Sequence, residues 1–257
     1  MLRPRNDILR ERILSIGQPG SGKSYGWLRI ADLAQKTKSP AHFYCIDTDD
    51  AIERMLYEEF SHLHNVTSEV CFSYPDMAKA TENFKALAKP GDWIIFDMIS
   101  ALWEEAQEHY INEVMGQRSS DYFLRIRKMM QDADKTGSPI AEGLEGWRDW
   151  GQINKMNTTV MKDLIGNVAN IYAVAPVDEL SGKEDKDSRL AYGGLKVKPR
   201  GQKKLGHWFH TILWFQQMTM TDYAITTVKD RGRKLQNQTP LKNFALDYLL
   251  KIAGWKL

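Results

Sequence analysis

The sequence predicts an α/β protein with a mostly parallel central sheet and helices on both faces. Two observations predict this fold class. Short apolar segments typical of buried strands alternate with longer segments whose apolar residues recur at helical spacing. In addition, the first apolar segment runs directly into a glycine-rich loop that is followed by a helical pattern. The chain has 257 residues, of which 42% are hydrophobic, enough for one α/β domain with a substantial core.

Charge and cysteine content limit the classes of protein to consider. The formal net charge is +2, so the whole chain gives no argument for nucleic-acid binding and any basic site must be local. Cys45 and Cys71 lie in apolar, strand-like segments and are expected to be buried thiols. No apolar segment approaches membrane-spanning length, and the first residues lack a signal-peptide core. We therefore expect a cytoplasmic protein without a membrane partner.

The elements of the first half follow one another in a regular alternation. The first strand is predicted at residues 12–16, and the helix after the glycine-rich loop extends to about residue 36. Breaks at Ser39-Pro40 and Pro90-Gly91 separate later elements. Further strands are predicted at residues 42–46, 70–73 and 93–96, and helices at residues 51–60, 76–89 and 100–114.

The second half is less regular. Residues 116–150 and 181–204 are predicted to be irregular, and long segments of this kind are usually functional or disordered. Between and after them we expect a buried strand at 170–174, ended by Pro176, and a late strand pair at 208–215 and 223–228. A final helix is predicted at about 240–252, starting at Thr239-Pro240. The whole chain, 1–257, is expected to form a single domain with its core at about 12–233.

The glycine-rich loop is the most specific motif in the chain. It fits the pattern G-x-x-x-x-G-K-S/T at every fixed position and comprises Gly17, Gln18, Pro19, Gly20, Ser21, Gly22, Lys23 and Ser24. Its glycines allow backbone N–H groups to turn inward and hold phosphates at a helix N-terminus. Lys23 is expected to reach the β- and γ-phosphates, Ser24 to ligate Mg²⁺, and Tyr25 to contact the nucleotide. The motif therefore predicts a site for ATP and Mg²⁺.

Two strands end in acidic residues that suit metal binding and catalysis. Asp97 ends the apolar strand 93–96 and is predicted to hold the Mg²⁺ hydration shell opposite Ser24. The residue after Asp97 is Met98 and not a glutamate that could activate a water molecule, so the general base for hydrolysis must come from elsewhere in the chain. Asp49, at the tip of the neighbouring strand, is the first candidate, with Asp47 and Asp50 as fallbacks. These three acids also suit the N-terminus of a helix, and the two roles are compatible.

Two basic segments in the second half are candidates for phosphate contacts. Lys229 and Arg231 follow a β-rich segment and could reach a γ-phosphate bound by a neighbouring subunit, although their spacing alone favours a solvated hairpin. The other segment spans residues 196–204, and its basic residues are Lys196, Lys198, Arg200, Lys203 and Lys204. It has no acid nearby in the sequence and suits nucleic-acid phosphates, with Tyr192 and Trp208 at its edges to stack on bases. The alternative is that this segment is a solvated loop.

In this order the motifs resemble a known family. The phosphate loop, Ile46-Asp47-Thr48-Asp49, the strand ending in Asp97 and the late Lys229-Asp230-Arg231 are similar to the RecA-like ATPase core. The likeness is strongest to phage RecA-like ATPases of AAA type, a group that includes single-strand annealing recombinases. It implies a RecA-like P-loop NTPase fold over about residues 13–231 and Mg²⁺-dependent ATP hydrolysis. It further implies a homo-oligomer, ring or filament, that acts on single-stranded DNA in recombination, annealing or replication.

The resemblance also implies roles for particular residues. Asp49 would take the position of the catalytic glutamate, Lys229 and Arg231 would act on a neighbouring active site, and segment 196–204 would be a DNA-binding loop. The chain departs from the family where Asp49 replaces glutamate and where Pro176 follows the strand without a γ-phosphate-sensing amide. Two alternatives therefore stay open: a small-molecule phosphotransferase with 181–204 as its lid, and a nucleotide-gated assembly module with little turnover. A phage-encoded chain would act in the host cytoplasm.

Overall fold

A computed structural model describes residues 10–136, 148–181, 186, 189, 192–219 and 223–231. The predicted helix at 240–252 lies outside these ranges. The strands are β1 (Arg12–Gly17), β2 (Phe43–Asp47), β3 (Val66–Val70), β4 (Trp93–Asp97), β5 (Asn170–Ala175), β6 (Val177–Glu179), β7 (Val197–Pro199), β8 (Thr211–Gln217) and β9 (Tyr223–Asp230). The helices are α1 (Lys23–Lys36), α2 (Ile52–Glu58), α3 (Tyr74–Leu87), α4 (Ser100–Met115), α5 (Ser119–Thr136) and α6 (Arg148–Gly166). A short 3₁₀ helix, Leu205–His207, precedes β8.

Seven strands form one central sheet in the order β3-β2-β4-β5-β1-β8-β9. All neighbouring pairs are parallel except β8 and β9, which are antiparallel. Strands β6 and β7 form a separate antiparallel pair, of which β6 follows β5 directly. The predicted mostly parallel α/β fold with a late strand pair is therefore confirmed.

Helices cover both faces of the sheet, which explains why its central strands are continuously apolar. Successive strand residues point to opposite faces. Leu14 therefore packs in the layer that contains α3, α4 and α6, whereas its neighbour Ile13 packs in the layer that contains α1 and α2. Cys45 and Cys71 are both buried and free, as predicted.

The structure corrects three assignments made from the sequence. The third strand is Val66–Val70, and Ser73 instead begins α3 by accepting a hydrogen bond from the Asp76 N–H at 3.3 Å. This strand lies at the edge of the sheet with its side chains partly exposed, so its apolar signal is weak. Within the region 116–150, residues 119–136 form α5 and residues 148–150 begin α6. Since α5 buries only a narrow face against α4, most of its residues are polar. Residues 197–199 form β7, where irregular structure was expected.

The parallel arrangement brings the predicted functional loops to one edge of the sheet. Asp47 at the end of β2 pairs with Asp97 at the end of β4, and Asp97 pairs with Val174 on β5. Next to it, Ile16 on β1 pairs with Ala175. The carboxyl ends of four adjacent strands therefore surround one space, where ligands bind in sheets of this kind. Among the described residues, no helix combines the length and apolar character needed to cross a bilayer.

Candidate nucleotide site

The phosphate loop connects β1 to α1 at the carboxyl edge of the sheet. Gly20 and Gly22 have φ angles of 74° and 86°, in the left-handed region that favours glycine. A Cβ on Gly17 would lie 2.5 Å from both the Phe215 carbonyl oxygen and the Ser21 Oγ, so a larger residue does not fit there. Gly22 occupies the N-cap position of α1 and has no side chain to cap the helix. The N–H groups of the first turn of α1 are therefore available to an anion.

Lys23 begins α1 with its ammonium group folded onto the loop. Its Nζ donates a hydrogen bond of 2.9 Å to the Gln18 carbonyl. Burial lowers the pKa of Lys23, and the carboxylates of Asp97 and Asp49 act in the opposite direction. Inside the same loop, the Ser21 Oγ is buried without a hydrogen-bond partner among the described residues. A half-satisfied cationic loop of this kind fits the phosphates of a nucleotide.

The two predicted Mg²⁺ ligands are in contact. Asp97, at the end of β4, is buried and accepts hydrogen bonds from the Ser24 hydroxyl and, at 3.1 Å, from the Trp27 Nε1. Burial raises the pKa of Asp97 to about 7. The two hydrogen bonds act to lower this pKa, whereas the negative charges of Asp49 and Asp47 raise it further. A hydroxyl and a carboxylate are the oxygen ligands that Mg²⁺ prefers. The residues present therefore fit this ion, and their role in binding it stays a prediction.

The three acids after β2 have different positions. Asp47 is fully buried, and its carboxylate accepts the N–H groups of Asp49 at 3.3 Å and Ile52 at 3.0 Å. It therefore fixes the turn that carries Asp49 and begins α2. Asp49 and Asp50 are both exposed, and Asp50 has a φ of 56°. Of the three acids, Asp49 is the one that lines the cleft beside the phosphate loop. The pKa of Asp49 is raised to about 6, mainly by partial burial of its carboxylate and to a smaller extent by the hydrogen bond and negative charge of Asp47.

The cleft at this edge has a volume of about 810 Å³, in the range of small-molecule and cofactor sites. Besides the phosphate loop, its walls include Asp49, Met55, Met98, Pro176 and Tyr223. The Tyr25 ring lies in the same wall and packs edge-on against Phe60, with ring centroids 5.3 Å apart. Apolar and aromatic groups around a cationic loop suit a ligand with a flat base and charged phosphates. As expected from the sequence, Pro176 lies at this edge without an adjacent amide side chain on β5.

Sequence reasoning missed Trp27, Met55 and Tyr223. Trp27 lies at helical spacing from Ile30, Ala31 and Ala34, which favours a role in the core, yet its indole N–H donates a hydrogen bond to Asp97. Its position one helical turn after Lys23 is the only sequence signal for this role. Met55 and Tyr223 come from α2 and β9, and their place in the cleft depends on how these elements pack.

Lys229 and Arg231 lie at the opposite edge of the sheet, near the start of β1. The Arg231 N–H donates to the His210 carbonyl at 2.9 Å, and the His210 N–H donates to the Arg12 carbonyl at 3.0 Å. Since a strand rises about 3.3 Å per residue, roughly 16 Å of β1 separates this level from Gly17. The Lys229 Nζ donates 2.7 Å hydrogen bonds to the carbonyls of Gly206 and Phe209, so it ties its own chain together. Arg231 is exposed and cannot reach the cleft of its own chain.

This amino edge of the sheet is strongly cationic. Burial lowers the pKa of His210 to about 4, and the charges of Arg12, Arg231, Lys229 and Arg10 add to this effect. The His210 imidazole is therefore neutral at pH 7 in the folded chain, whereas an unfolded histidine takes up a proton near pH 6.5.

This difference predicts a pH-dependent effect of His210→Gln on stability. Because the folded-state pKa is lowered, the contribution of His210 is fully present above about pH 6.5 and is lost as the pH falls toward 4. The variant should lose less stability than the wild type between pH 7.5 and 5, by at most about 2 kcal/mol, and high salt should reduce the difference. Urea unfolding at both pH values measures it. An equal loss in both proteins would show that the pKa of His210 is not lowered in the folded chain.

The second basic segment differs from its prediction in one way. It does have a neighbouring acid, because the Arg200 Nε forms an ion pair with the Asp178 Oδ1 at 2.8 Å. Tyr192 and Trp208 are partly buried and pack against the core, and their role in stacking stays a prediction. Lys198 lies half-buried on β7 beside Asp178. The side chains of Lys196, Lys203 and Lys204 are exposed.

Comparison with known proteins agrees with the fold and the phosphate loop. A family model described as an AAA domain matches residues 10–245. None of the curated proteins compared with the chain matches it. The family match includes the phosphate loop, both acidic strand ends and the β8–β9 pair. The chain therefore belongs to the AAA domain family and is a P-loop protein of the AAA ATPase type.

Proposed function

We propose that this protein is a Mg²⁺-dependent ATPase that hydrolyses the β–γ bond of ATP. The observation that carries the proposal is that one cleft is lined by the cationic phosphate loop with Lys23 and Ser24 and by Asp49 from the neighbouring strand. The buried Asp97 carboxylate interacts with Ser24, so the groups needed to hold phosphates, Mg²⁺ and a water molecule have candidates in or next to this cleft.

The chemistry follows from the position of each group. Lys23 and the first-turn N–H groups of α1 would hold the phosphates and offset their charge. Ser24 and Asp97 would hold Mg²⁺, which supplies charge neutralisation at the β- and γ-phosphates when bound. With a pKa of about 6, Asp49 is mostly ionised at neutral pH and can accept a hydrogen bond from a water molecule in the cleft. It would orient that water toward the γ-phosphate.

Asp49→Asn tests this assignment. The substitution keeps the size of the side chain and removes its negative charge, so the water would lose a charged acceptor while the phosphate contacts stay. We expect hydrolysis to fall by about 10²–10⁴-fold and ATP affinity to change little. Steady-state ATPase assays and calorimetric ATP titration measure the two quantities.

Asp50→Asn is the matched control, because it makes the same change at the next, exposed residue and should hydrolyse ATP like the wild type. An inactive Asp50→Asn beside an active Asp49→Asn would mean that the base is misplaced. Wild-type turnover that is very slow and unchanged in both variants would favour the nucleotide-gated assembly module.

We further propose that the protein is a homo-oligomer, ring or filament, with active sites shared between copies. The exposed Arg231 lies at the sheet edge opposite the cleft, which supports a head-to-tail contact in which one copy presents Arg231 to the cleft of the next. Lys229 would act there indirectly, since it fastens residues 206–209 to β9.

The proposed macromolecular partner is single-stranded DNA, in phage recombination, annealing or replication. Exposed Lys196, Lys203 and Lys204 support a polyanionic partner. The phosphotransferase alternative needs a lid that closes over the cleft. The pairing of β7 with β6 and the Arg200–Asp178 ion pair instead anchor this segment to the chain that leaves β5, which disfavours a lid.

A further inference from the structure

Two tryptophans from different helices stack beside the basic segment. Trp103 lies in the first turn of α4 and Trp150 in the first turn of α6, with ring centroids 6.3 Å apart and an angle of 28° between the ring planes. Helix α4 follows β4, and α6 leads into the start of β5, so both helix N-termini lie toward the carboxyl edge of the sheet. Both indoles are half-buried, which leaves part of each ring accessible.

Hydrogen bonds and close packing join this tryptophan pair to the loop after β7. The Gln202 Nε2 donates to the Asn154 Oδ1 at 3.1 Å, and the Asn154 Nδ2 donates to the Trp150 carbonyl at 2.7 Å. On the other side, a Cβ placed on Gly201 would lie 3.4 Å from the Ser100 Cα, one helical turn before Trp103. The loop residues next to Arg200, Lys203 and Lys204 therefore lie within about one helical turn of each indole.

The surface beside the pair is open, and two of the nearby acids are engaged in hydrogen bonds. A Cβ on Gly151, the residue after Trp150, would meet no atom within 4 Å in the described structure. Asp149 accepts the Tyr110 hydroxyl at 2.8 Å, and Glu108 accepts the N–H and hydroxyl of Ser119. Asp178 and, to a smaller extent, Glu104 raise the pKa of Arg200. Lys203 and Lys204 add exposed positive charge on the loop side.

We propose that Trp103 and Trp150 form a base-stacking platform for single-stranded nucleic acid whose phosphates are bound by Lys203 and Lys204. The proposal rests on the proposed DNA-binding function and identifies the part of the surface that contacts bases. Every base has an aromatic face, so stacking on an indole tolerates any sequence, and bases paired inside a duplex cannot reach it. The platform therefore predicts a preference for single strands over duplexes.

The test separates base contacts from phosphate contacts. Fluorescence anisotropy would measure binding of a thymidine oligonucleotide and of an abasic oligonucleotide with the same number of phosphates, each over a range of salt concentrations. We expect the wild type to bind the thymidine strand about tenfold more tightly. Trp150→Leu and Trp103→Leu should remove that difference without changing the salt slope. Lys203→Gln and Lys204→Gln should keep the difference and lower the slope by about 0.7 for each lost contact.

Two control variants address folding and location. Trp150→Phe keeps an aromatic face and should retain part of the preference for bases, with circular dichroism to verify that each variant is folded. Trp208→Leu removes an indole that packs against the core at the other side of the segment, and it should leave the preference unchanged.

Each outcome bears on a different proposal. If the wild type binds neither oligonucleotide, the DNA-binding function and the platform both fail. If it binds both equally and Trp150→Leu has no effect, the DNA-binding function survives and the platform is overturned. Loss of self-association in Trp150→Leu, seen by light scattering with DNA binding intact, would assign the pair to a contact between copies and also overturn the platform.

Discussion

Lys23→Ala should abolish ATP hydrolysis, with a loss of at least about a hundredfold, while the protein stays folded. The Lys23 Nζ contributes one hydrogen bond, to the Gln18 carbonyl, and otherwise presents its charge to the cleft beside Asp49 and Asp97. Its removal takes away the cation that would offset the β- and γ-phosphates. It also removes a positive charge that acts on both carboxylates, so their repulsion of the phosphates would grow and Mg²⁺-ATP affinity should fall as well. ATPase assays and calorimetry with Mg²⁺-ATP measure both effects.

The matched control for this variant is Lys36→Ala. Lys36 ends the same helix and pairs with Asp32 near the protein surface, far from the phosphate loop. It should bind and hydrolyse ATP like the wild type. A folded Lys23→Ala protein with wild-type turnover would remove the basis for the nucleotide site.

Arg231→Ala should reduce turnover by about 10³-fold or more with little change in ATP affinity. The reason is that Arg231 would contact charge that develops in the transition state, in the cleft of a neighbouring copy. The fold excludes an action within its own cleft, because Arg231 lies at the level of Arg12, at the far end of β1 from the phosphate loop.

Lys229→Met is expected to act differently and lower thermal stability, since it removes both hydrogen bonds that tie residues 206–209 to β9.

Mixing two inactive proteins tests the shared site directly. In a mixed oligomer of Lys23→Ala and Arg231→Ala, about a quarter of randomly formed interfaces pair an intact phosphate loop with an intact Arg231. Activity should return to roughly that fraction of the wild type. Mixed oligomers that form and show no recovery would contradict the shared site and favour a monomeric phosphotransferase.

The nucleotide site was predictable because its parts are local. Gly17 to Ser24 determine their own conformation, since the left-handed φ angles of Gly20 and Gly22 and the space at Gly17 permit little except glycine. Asp97 could be placed because a continuous apolar strand precedes it, and parallel strands end at one edge. Among Asp47, Asp49 and Asp50, the sequence ranked Asp49 first but left the other two open. The structure separates Asp47 from Asp49, because the Asp47 carboxylate accepts two N–H groups of its own chain and Asp49 lines the cleft.

The sequence by itself determined the α/β class, the phosphate loop and the acidic strand ends, because periodicity and glycine geometry act over a few residues. The tertiary structure decided everything that depends on contacts between distant segments. Trp27 holds Asp97 across 70 positions of sequence, and Lys229 holds carbonyls 20 and 23 positions away. Trp103 and Trp150 meet only because α4 and α6 pack side by side on one face of the sheet. Such pairings leave no periodic signal in either segment, so only the packed fold places these side chains together.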